Sequence, residues 1–283
     1  MSINNEQEWK THIEQLEKET KPSNKDELKQ IILKAIKDRI PSEKFGVFLS
    51  GGIDSSFIAM ICKQQNADFI CYSIGLKDSP DIVASKKTAQ LLSLKHEFKE
   101  YSVDECDELF KKTVKLLNSA NVVIVGVGAV VYAAVELAKG DKVRKFFSGI
   151  GTEEIFAGYD RHAKAVDKHQ ECWNGLKAMW NRDLVRDLTL AKALGFEALA
   201  PFLDDEVIKS AMGIDISKKI TEEHKKIILR EIAEELSLPK EIAWREKKAA
   251  QYGSWIDKAM EKLAKKKGFE SKSDYLNSLK GTI

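Results

Sequence analysis

The chain has 283 residues, of which 43% are apolar and 32% carry a charge, a balance that is ordinary for a soluble globular protein with a sizeable core. The formal net charge of +2 argues against broad electrostatic binding to nucleic acid, so we expect no nucleic-acid partner. The four cysteines form no CxxC pair and have no histidine at ligand spacing, which argues against a zinc site or a disulfide scaffold and favours a reducing compartment.

Residues 1–40 are predicted to form two helices. In the first helix, Trp9, Ile13 and Leu16 recur at helical spacing. Ser23 follows a proline and is expected to cap the second helix, which has one apolar face. We treat this stretch as an N-terminal helical segment.

From residue 41 onward, strand and helix patterns alternate. The runs FGVFLS, DFICYSIGL, HEFKEY and VRKFFS are predicted as strands, and helices are predicted over residues 54–65, about 80–92, 103–117 and 126–139. Ser79, followed by Pro and Asp, gives the second of these helices a strong start. This alternation predicts an α/β fold with a doubly wound parallel sheet over residues 41–160. Residues 161–283 show mostly helical patterns and are expected to form a helical C-terminal part of the same domain.

One apolar run is long enough to raise the question of a membrane span. Residues 122–135, VVIVGVGAVVYAAV, are apolar throughout, but a span takes about 20 such residues, and two glycines interrupt the run. The N-terminus, MSINNEQEWK, lacks the hydrophobic region of a signal peptide. We therefore expect the run to be a buried helix or strand-helix element in a cytoplasmic protein that does not associate with membranes.

The stretch LSGGIDSS, residues 49–56, directly follows the first predicted strand. Ligands of a doubly wound sheet bind beyond the carboxyl ends of its strands. The two glycines let the backbone approach a ligand, the N–H groups of the turn form an anion site, and Ser50 and Ser55 add hydroxyl donors. Asp54 would repel a phosphate by itself, but it fits if Mg²⁺ bridges the two. The turn therefore predicts a polyphosphate with a metal ion, and a plain turn with Asp54 as a helix cap is the alternative.

The same octapeptide resembles the PP-loop of the ATP pyrophosphatases, which have an adenine nucleotide α-hydrolase-like fold. The resemblance implies that the loop holds the β- and γ-phosphates of ATP as a pyrophosphate leaving group. It also implies that a substrate oxygen attacks the α-phosphate.

Four further segments narrow the resemblance to the synthetase domain of asparagine synthetases. They are YSIGLKDSPDIVASKKTAQLL, FSGIGTEEIFAGY, GFEALAPFLDDEVIKSAM and KKIILREIAEELSLPKEIAWREK. These are similar, in order, to that family's VGL..SPD, SGEGSDEVFGGY, EVRVPFLD and K..LR......LP..I..R.K. In addition, GIG and KKAAQYGS are similar to GIGADE and KRAMQFGS of the asparagine synthetase domain-containing branch, which lacks a glutaminase domain.

The resemblance implies which residues contact ATP. Leu49 and Ile74 match positions whose backbone meets the adenine. The residues that match the pyrophosphate loop and a second nucleotide-contacting turn are Ser50, Gly51, Gly52, Asp54, Ser55, Ser148 and Gly149.

The resemblance also implies the metal ligands and the catalytic residues. Asp54 and Glu153 match the acidic pair that binds Mg²⁺, with Glu153 in place of the usual Asp. Glu153 and Glu154 have an alternative role as caps of the helix that follows. Lys247 matches the lysine that neutralises charge at the α- and β-phosphates, and positioned charges of this kind are what phosphoryl-type transfer needs.

The candidate substrate pocket departs from the family. Asp183 and Arg186 match its D-x-x-R pair, for which a salt-bridged helix face is the alternative role. Ile150 replaces a Glu beside the reacting carbonyl and cannot accept a proton. Leu199 replaces an Arg, so we expect a pocket less polar than an aspartate site. His162 is a minor candidate for the same site.

The start of the chain departs as well. Residue 2 is Ser2, where full-length asparagine synthetases carry a catalytic cysteine, and the loop already begins at residue 49. We therefore expect no glutaminase domain, so that the amine comes from free ammonia, a separate glutaminase subunit or another amine substrate.

These matches predict an ATP- and Mg²⁺-dependent, AMP-forming ligase that joins a small-molecule carboxylate to an amine. Conversion of aspartate to asparagine is the default that the resemblance implies. Adenylation of another carboxylate, to form an amide or amidine, is the main alternative. A non-catalytic nucleotide-binding or partner-binding protein is a further alternative, against which the intact loop and Lys247 argue.

Overall fold

Five short parallel strands form the central sheet of the computed structural model, which describes residues 3–280. In chain order they are β1 (Phe45–Phe48), β2 (Phe69–Leu76), β3 (His96–Tyr101), β4 (Lys145–Phe147) and β5 (Glu197–Leu199). Their order across the sheet is β3-β2-β1-β4-β5, and the prediction of a doubly wound parallel sheet is confirmed. The expectation that concerns Ser2 lies outside the described residues.

The strand order creates a switch point between β1 and β4. From β1 the chain moves outward to β2 and β3, and it then returns to build β4 and β5 on the other side. Val47 pairs with Cys71 of β2 and with Phe147 of β4, so the carboxyl ends of the three central strands lie side by side. Open α/β sheets bind their ligands at such a point.

Helices cover both faces of the sheet. In chain order they are α1 (Glu6–Glu19), α2 (Lys25–Lys37), α3 (Ile53–Gln64), α4 (Pro80–Leu91), α5 (Val103–Leu117), α6 (Val122–Ala138), α7 (Thr152–Ile155), α8 (Asp160–Lys164), α9 (Lys168–Lys177), α10 (Val185–Leu194), α11 (Asp205–Met212), α12 (Ile227–Glu235), α13 (Lys240–Ala243), α14 (Ala250–Gly253), α15 (Ile256–Lys266) and α16 (Lys272–Lys280). A π-helical turn, Trp180–Leu184, directly precedes α10.

The apolar core forms two layers, one on each face of the sheet. Successive strand residues point to opposite faces, and accordingly Phe147 joins one layer while Phe146 joins the other. The first layer is built mainly by α1, α2, α3, α9, α11 and α12, and the second by α5, α6, α10, α15 and α16.

Two predicted helix starts differ in detail from the structure. The cap of α2 is Asn24 and not Ser23, because the Asn24 side chain accepts the N–H groups at the helix start. The Ser23 hydroxyl instead lies 2.8 Å from that of Ser210 on α11. Ser79 does precede α4 as its cap residue, but its side chain makes no capping hydrogen bond.

Helix α6 is longer than the sequence indicates. It begins at Val122, where Asn121 caps it, and not at residue 126. With the 3₁₀ turn that follows, Val122–Asp141 is long and apolar enough to cross a membrane by length and composition, so the run is not too short for a span. In this fold the helix packs against β2, α5, α10 and α14, and core helices pass the same test of length and composition.

Strand β5 was not predicted. It has only three residues, and Glu197 and Ala198 are exposed, so it shows neither a buried run nor an alternation of apolar residues. Its pairing with β4 brings a segment from beyond residue 160 into the sheet. The boundaries at residues 40 and 160 remain predictions.

A buried lysine lies in the first core layer. Lys219 is fully buried, and the one side-chain hydrogen bond that its Nζ makes among residues 3–280 is to Sδ of Met212, at 3.7 Å. Burial lowers the pKa of Lys219 to about 8, because the charged form loses its water and the charge of Asp215 offsets that loss only in part.

Replacing this lysine is expected to stabilise the fold. At pH 7 the folded chain must bury a charge that the unfolded chain keeps in water, so Lys219→Met should raise the free energy of unfolding by up to about 3 kcal/mol. At a pH between about 8, the pKa of Lys219 in the folded chain, and its higher pKa in the unfolded chain, Lys219 of the wild type is neutral when folded and charged when unfolded. The advantage of the variant should therefore shrink to about 1 kcal/mol at pH 10. Urea unfolding of both proteins at the two pH values measures this, and a difference independent of pH would contradict it.

Candidate active site

The turn between β1 and α3 is shaped by two glycines. Gly51 has a φ of +69°, and a Cβ on it would lie 2.5 Å from the carbonyl carbon of Ala84. A Cβ on Gly52 would lie 2.6 Å from Cδ of Lys247. The turn has room for neither side chain, and the stem of Lys247 crosses it at Gly52.

The hydroxyl groups of the turn lie at the start of α3. The N–H of Ser50 donates to Oγ of Ser55 at 3.2 Å, and the two hydroxyls are 3.3 Å apart. Both serines therefore present donors close to the positive end of the helix, where an anion is stabilised.

A cleft of about 530 Å³ opens beyond the carboxyl ends of the central strands. One end, which we call the valine end, is lined by Leu49, Ile74, Val127, Val130 and Val131. The middle is lined by Ser50, Asp54, Ser55, Ser148, Gly149 and Lys247. A further part, which we call the arginine end, includes Ile150, Glu154, Met179, Asp183, Arg186 and Asp187 among its lining residues.

In the middle of the site an ammonium group lies between two carboxylates. Nζ of Lys226 is 2.9 Å from both carboxylate oxygens of Asp54 and 2.8 Å from Oε1 of Glu153, and it donates to Oγ1 of Thr152 at 3.2 Å. Burial alone would raise the pKa of Asp54, but the charges of Lys226 and Lys247 hold it below its usual value. Asp54 is therefore ionised, and Lys226 is its main counter-charge.

The segment that follows α13 contacts the turn between β1 and α3 through Arg245 and Lys247. Nζ of Lys247 lies 3.9 Å from Oδ2 of Asp54. Two residues earlier, Arg245 donates to the carbonyl oxygens of Ser50 and Pro80 at 3.2 and 3.1 Å. Arg245 also lies 3.3 Å from the buried carboxylate of Asp81. These bonds fix the position from which Lys247 reaches the middle of the cleft.

At the arginine end the charged side chains form a chain of ion pairs. Arg186 donates to both carboxylate oxygens of Asp187, at 2.7 and 3.0 Å, and to Asp183 at 3.3 Å. Arg182 donates to Asp183 at 2.6 Å and also pairs with Glu154. Burial raises the pKa of Glu154 to about 7, against the opposing charge of Arg182. The π-helical turn carries Arg182 and Asp183, and such turns frequently lie at functional sites.

The structure brings most of the predicted site residues into this cleft. The predicted residues that line it are Leu49, Ser50, Asp54, Ser55, Ile74, Ser148, Gly149, Ile150, Glu153, Asp183, Arg186 and Lys247. Gly51 and Gly52 shape the turn without lining the cleft.

Two predicted residues lie outside the cleft lining. Leu199 is buried at the end of β5, where its carbonyl oxygen accepts the N–H of Ser148 at 2.9 Å. His162 is buried as well, and its Nδ1 accepts the N–H of Tyr159 at 3.2 Å. Burial lowers the pKa of His162 to about 4, so the ring is neutral. Leu199 can affect the site only through the turn that it supports.

Among the charged residues of the site, Arg182, Asp187, Lys226 and Arg245 were not singled out from the sequence. Lys226 and Arg245 fall on the K and R of the segments KKIILR and WREK, so a signal for both was present in the motif itself. Asp187 directly follows the D-x-x-R pair, and no sequence pattern marked it.

Comparisons with known proteins agree with this geometry. A sequence model of the asparagine synthase family matches residues 27–174 and 165–280. A Methanocaldococcus jannaschii protein that carries the name of a glutamine-hydrolyzing asparagine synthetase is 32% identical over 296 residues, which cover 90% of this chain and 54% of that protein. Asparagine synthetase B of Escherichia coli, also named glutamine-hydrolyzing, is 30% identical over 265 residues, which cover 86% and 48% of the two chains.

The chain spans about half the length of these curated relatives. Among solved structures, NMN synthetase from Francisella tularensis aligns with a TM-score of 0.46 and 14% identity, over 91% of this chain and 93% of that chain. Because the sequence model of the asparagine synthase family matches most of its length, the chain belongs to that family.

Proposed function

We propose that the chain catalyses ATP-dependent amide synthesis of the asparagine synthetase type, with AMP and pyrophosphate as products. The observation that carries this proposal is one cleft in which the glycine turn, the ionised Asp54 and Lys247 lie between an apolar end and a polar end. Membership of the asparagine synthase family supports it. Aspartate is the family's default carboxylate, and the composition of the arginine end favours another carboxylate as the second candidate.

The nucleotide would lie from the valine end to the glycine turn. The valine side chains of α6 and the ends of β1 and β2 offer apolar contact for a planar base, with backbone groups of Leu49 and Ile74 at its edge. The β- and γ-phosphates would then meet the N–H groups of the turn and the hydroxyls of Ser50 and Ser55.

The first chemical step follows from that placement. A carboxylate oxygen of the acceptor, bound at the arginine end, forms a bond to the α-phosphorus of ATP. The bond from that phosphorus to the bridging oxygen breaks, and its electron pair leaves with pyrophosphate. Negative charge builds up on the phosphoryl oxygens, where Lys247 is placed to stabilise it.

The second step forms the amide. An amine nitrogen attacks the carbonyl carbon of the acyl-adenylate, AMP leaves with the electron pair of the broken C–O bond, and the nitrogen loses a proton to water or to the phosphate of the departing AMP. Ile150 cannot take that proton. We propose ammonia, supplied free or by a separate glutaminase subunit, or another amine substrate as the source of the nitrogen; the curated relatives are named glutamine-hydrolyzing.

The donor groups of the site fit Mg²⁺. Both oxygens of Asp54 and one of Glu153 converge to within 2.9 Å of a single point, and carboxylate oxygens are the ligands that Mg²⁺ prefers. Mg²⁺ bound there would neutralise charge on the phosphates. In this structure the ammonium of Lys226 occupies that point, so the metal and Lys226 compete for the same carboxylates.

We place the reaction in the cytoplasm. Cys62, Cys71, Cys106 and Cys172 are all free and buried, which fits a reducing compartment.

Exchange of labelled pyrophosphate into ATP, measured across a panel of carboxylates with Mg²⁺, tests the proposed function. With the best carboxylate, Lys247→Met is expected to lower exchange by about 100-fold, because the charge at the α-phosphate loses its counter-ion. Asp54→Ala should abolish exchange, whereas Lys240→Met, a change at an exposed lysine on α13, should leave it unchanged. Tight ATP binding without exchange for any carboxylate would instead support a non-catalytic nucleotide-binding protein.

The competition at Asp54 is tested by binding of Mn²⁺ alone, followed by electron paramagnetic resonance without nucleotide. Lys226→Met should bind Mn²⁺ about tenfold or more tightly than the wild type, because the buried Asp54 and the partly exposed Glu153 lose their counter-charge. Lys225→Met is the matched control, since Lys225 pairs with Asp160 instead. Equal Mn²⁺ affinity of wild type and Lys226→Met would contradict the competition. If the variant is unstable, a rise of its melting temperature with Mn²⁺ gives the same information.

A further inference from the structure

The arginine that faces the arginine end is already neutralised by the protein. Arg186 is 7% exposed and uses Nε and Nη2 on the two oxygens of Asp187, and its Nη1 on Asp183. This two-bond arrangement is the one in which a guanidinium binds a carboxylate. Asp187 therefore takes the place that the carboxylate of a ligand would otherwise fill.

The neighbouring cations are committed as well. Arg182 pairs with Glu154 and Asp183, and Lys225 pairs with Asp160 at the rim. Lys226 is held between Asp54 and Glu153. Within residues 3–280, each of these cations has a carboxylate partner from the chain itself. Lys248 also lines the cleft and forms no ion pair with any described residue, but it directly follows Lys247, which lines the middle of the cleft and not the arginine end.

The uncharged lining points in the same direction. Ile150 and Met179 line this end, and their side chains carry neither a charge nor an N–H or O–H donor. A carboxylate that enters such a place without a free cation loses its hydration and gains no counter-charge. An acceptor with two carboxylates could place one at the α-phosphate, but the second would have no partner.

We propose that the acceptor is a monocarboxylate whose body is uncharged, and not a dicarboxylate such as aspartate. This inference rests on the proposed function, since it names the substrate class of the same site. Asp187 is the specificity-determining residue, because its carboxylate accepts the hydrogen bonds that the guanidinium of Arg186 would otherwise donate to an acceptor carboxylate. Ile150 supplies apolar contact for the body of the acceptor.

Two stable analogues of an acyl-adenylate test the substrate class without any turnover. Butyryl-sulfamoyl-adenosine and succinyl-sulfamoyl-adenosine have acyl chains of equal length. The acyl chain ends in a methyl group in the first compound and in a carboxylate in the second. Isothermal titration calorimetry with the whole chain should give a dissociation constant about tenfold or more lower for the butyryl compound. A succinyl compound that binds as tightly as the butyryl compound, or more tightly, overturns the inference.

The role of Asp187 is tested by a variant that frees Arg186. Asp187→Asn keeps the volume of the side chain and removes its charge. It should tighten binding of the succinyl compound by about tenfold and leave the butyryl compound within about twofold. Asp205→Asn, a change at an exposed carboxylate on α11, is the matched control and should change neither. If the ratio of the two dissociation constants in Asp187→Asn is the same as in the wild type, the assigned role of Asp187 is wrong.

The outcomes separate the two proposals. Binding of neither compound more tightly than AMP would overturn the proposed adenylation and this inference together. Preference for the succinyl compound, combined with pyrophosphate exchange, would leave the proposed function in place and overturn only the monocarboxylate class.

Discussion

The ionic contact of Lys226 with Asp54 and Glu153 is the constraint on which the rest of the site depends. Burying an unpaired carboxylate or ammonium costs several kcal/mol, so Asp54 and Lys226 can be buried only as a pair, to which the partly exposed Glu153 adds a second carboxylate. They come from the turn after β1, from α7 after β4, and from the start of α12. Their pairing therefore holds three distant segments of the chain around one cleft. Lys226 reaches it from a left-handed backbone conformation that is uncommon for a side-chain-bearing residue.

The sheet explains why the acidic groups meet at all. Because β1 and β4 are parallel neighbours, the turns that follow them emerge at the same edge, with Asp54 on one and Glu153 shortly after the other. Arg245 then joins the segment after α13 to the first of these turns. The site is thus assembled by topology first and by ion pairs second. Glycine at positions 51 and 52 is needed because Ala84 and Lys247 occupy the space where side chains would be.

The parts of the site that follow strands could be predicted from sequence, and the parts that depend on packing could not. The motifs LSGGIDSS and FSGIGTEEIFAGY each begin at the end of a predicted strand, and their resemblance to the family implies that Asp54 and Glu153 meet. Lys226 is 172 residues from Asp54 in the chain, and only the folded arrangement shows that its ammonium lies between the carboxylates. Leu199 shows the opposite case, since its motif position marked it for the pocket but burial in β5 removes it from the lining. Strand β5 itself is too short and too exposed to leave a periodic signal.

Charges of the chain itself compensate each other at two places in the cleft, the middle and the arginine end. At the middle, a lysine of the chain occupies the place where a metal ion fits, and at the arginine end an aspartate of the chain occupies the place where a carboxylate fits. In both places a buried charge would be costly without a partner, so the fold supplies one. The two partners differ in what can displace them. In the proposed reaction, Mg²⁺ would carry two charges and arrive with phosphates, so it could compete with one ammonium, whereas an acceptor carboxylate would offer Arg186 no more charge than Asp187 already does. Under the two proposals, the middle of the cleft would exchange its cation, while the arginine end would keep its internal pair and select for an acceptor that fits the apolar surface of Ile150 and Met179.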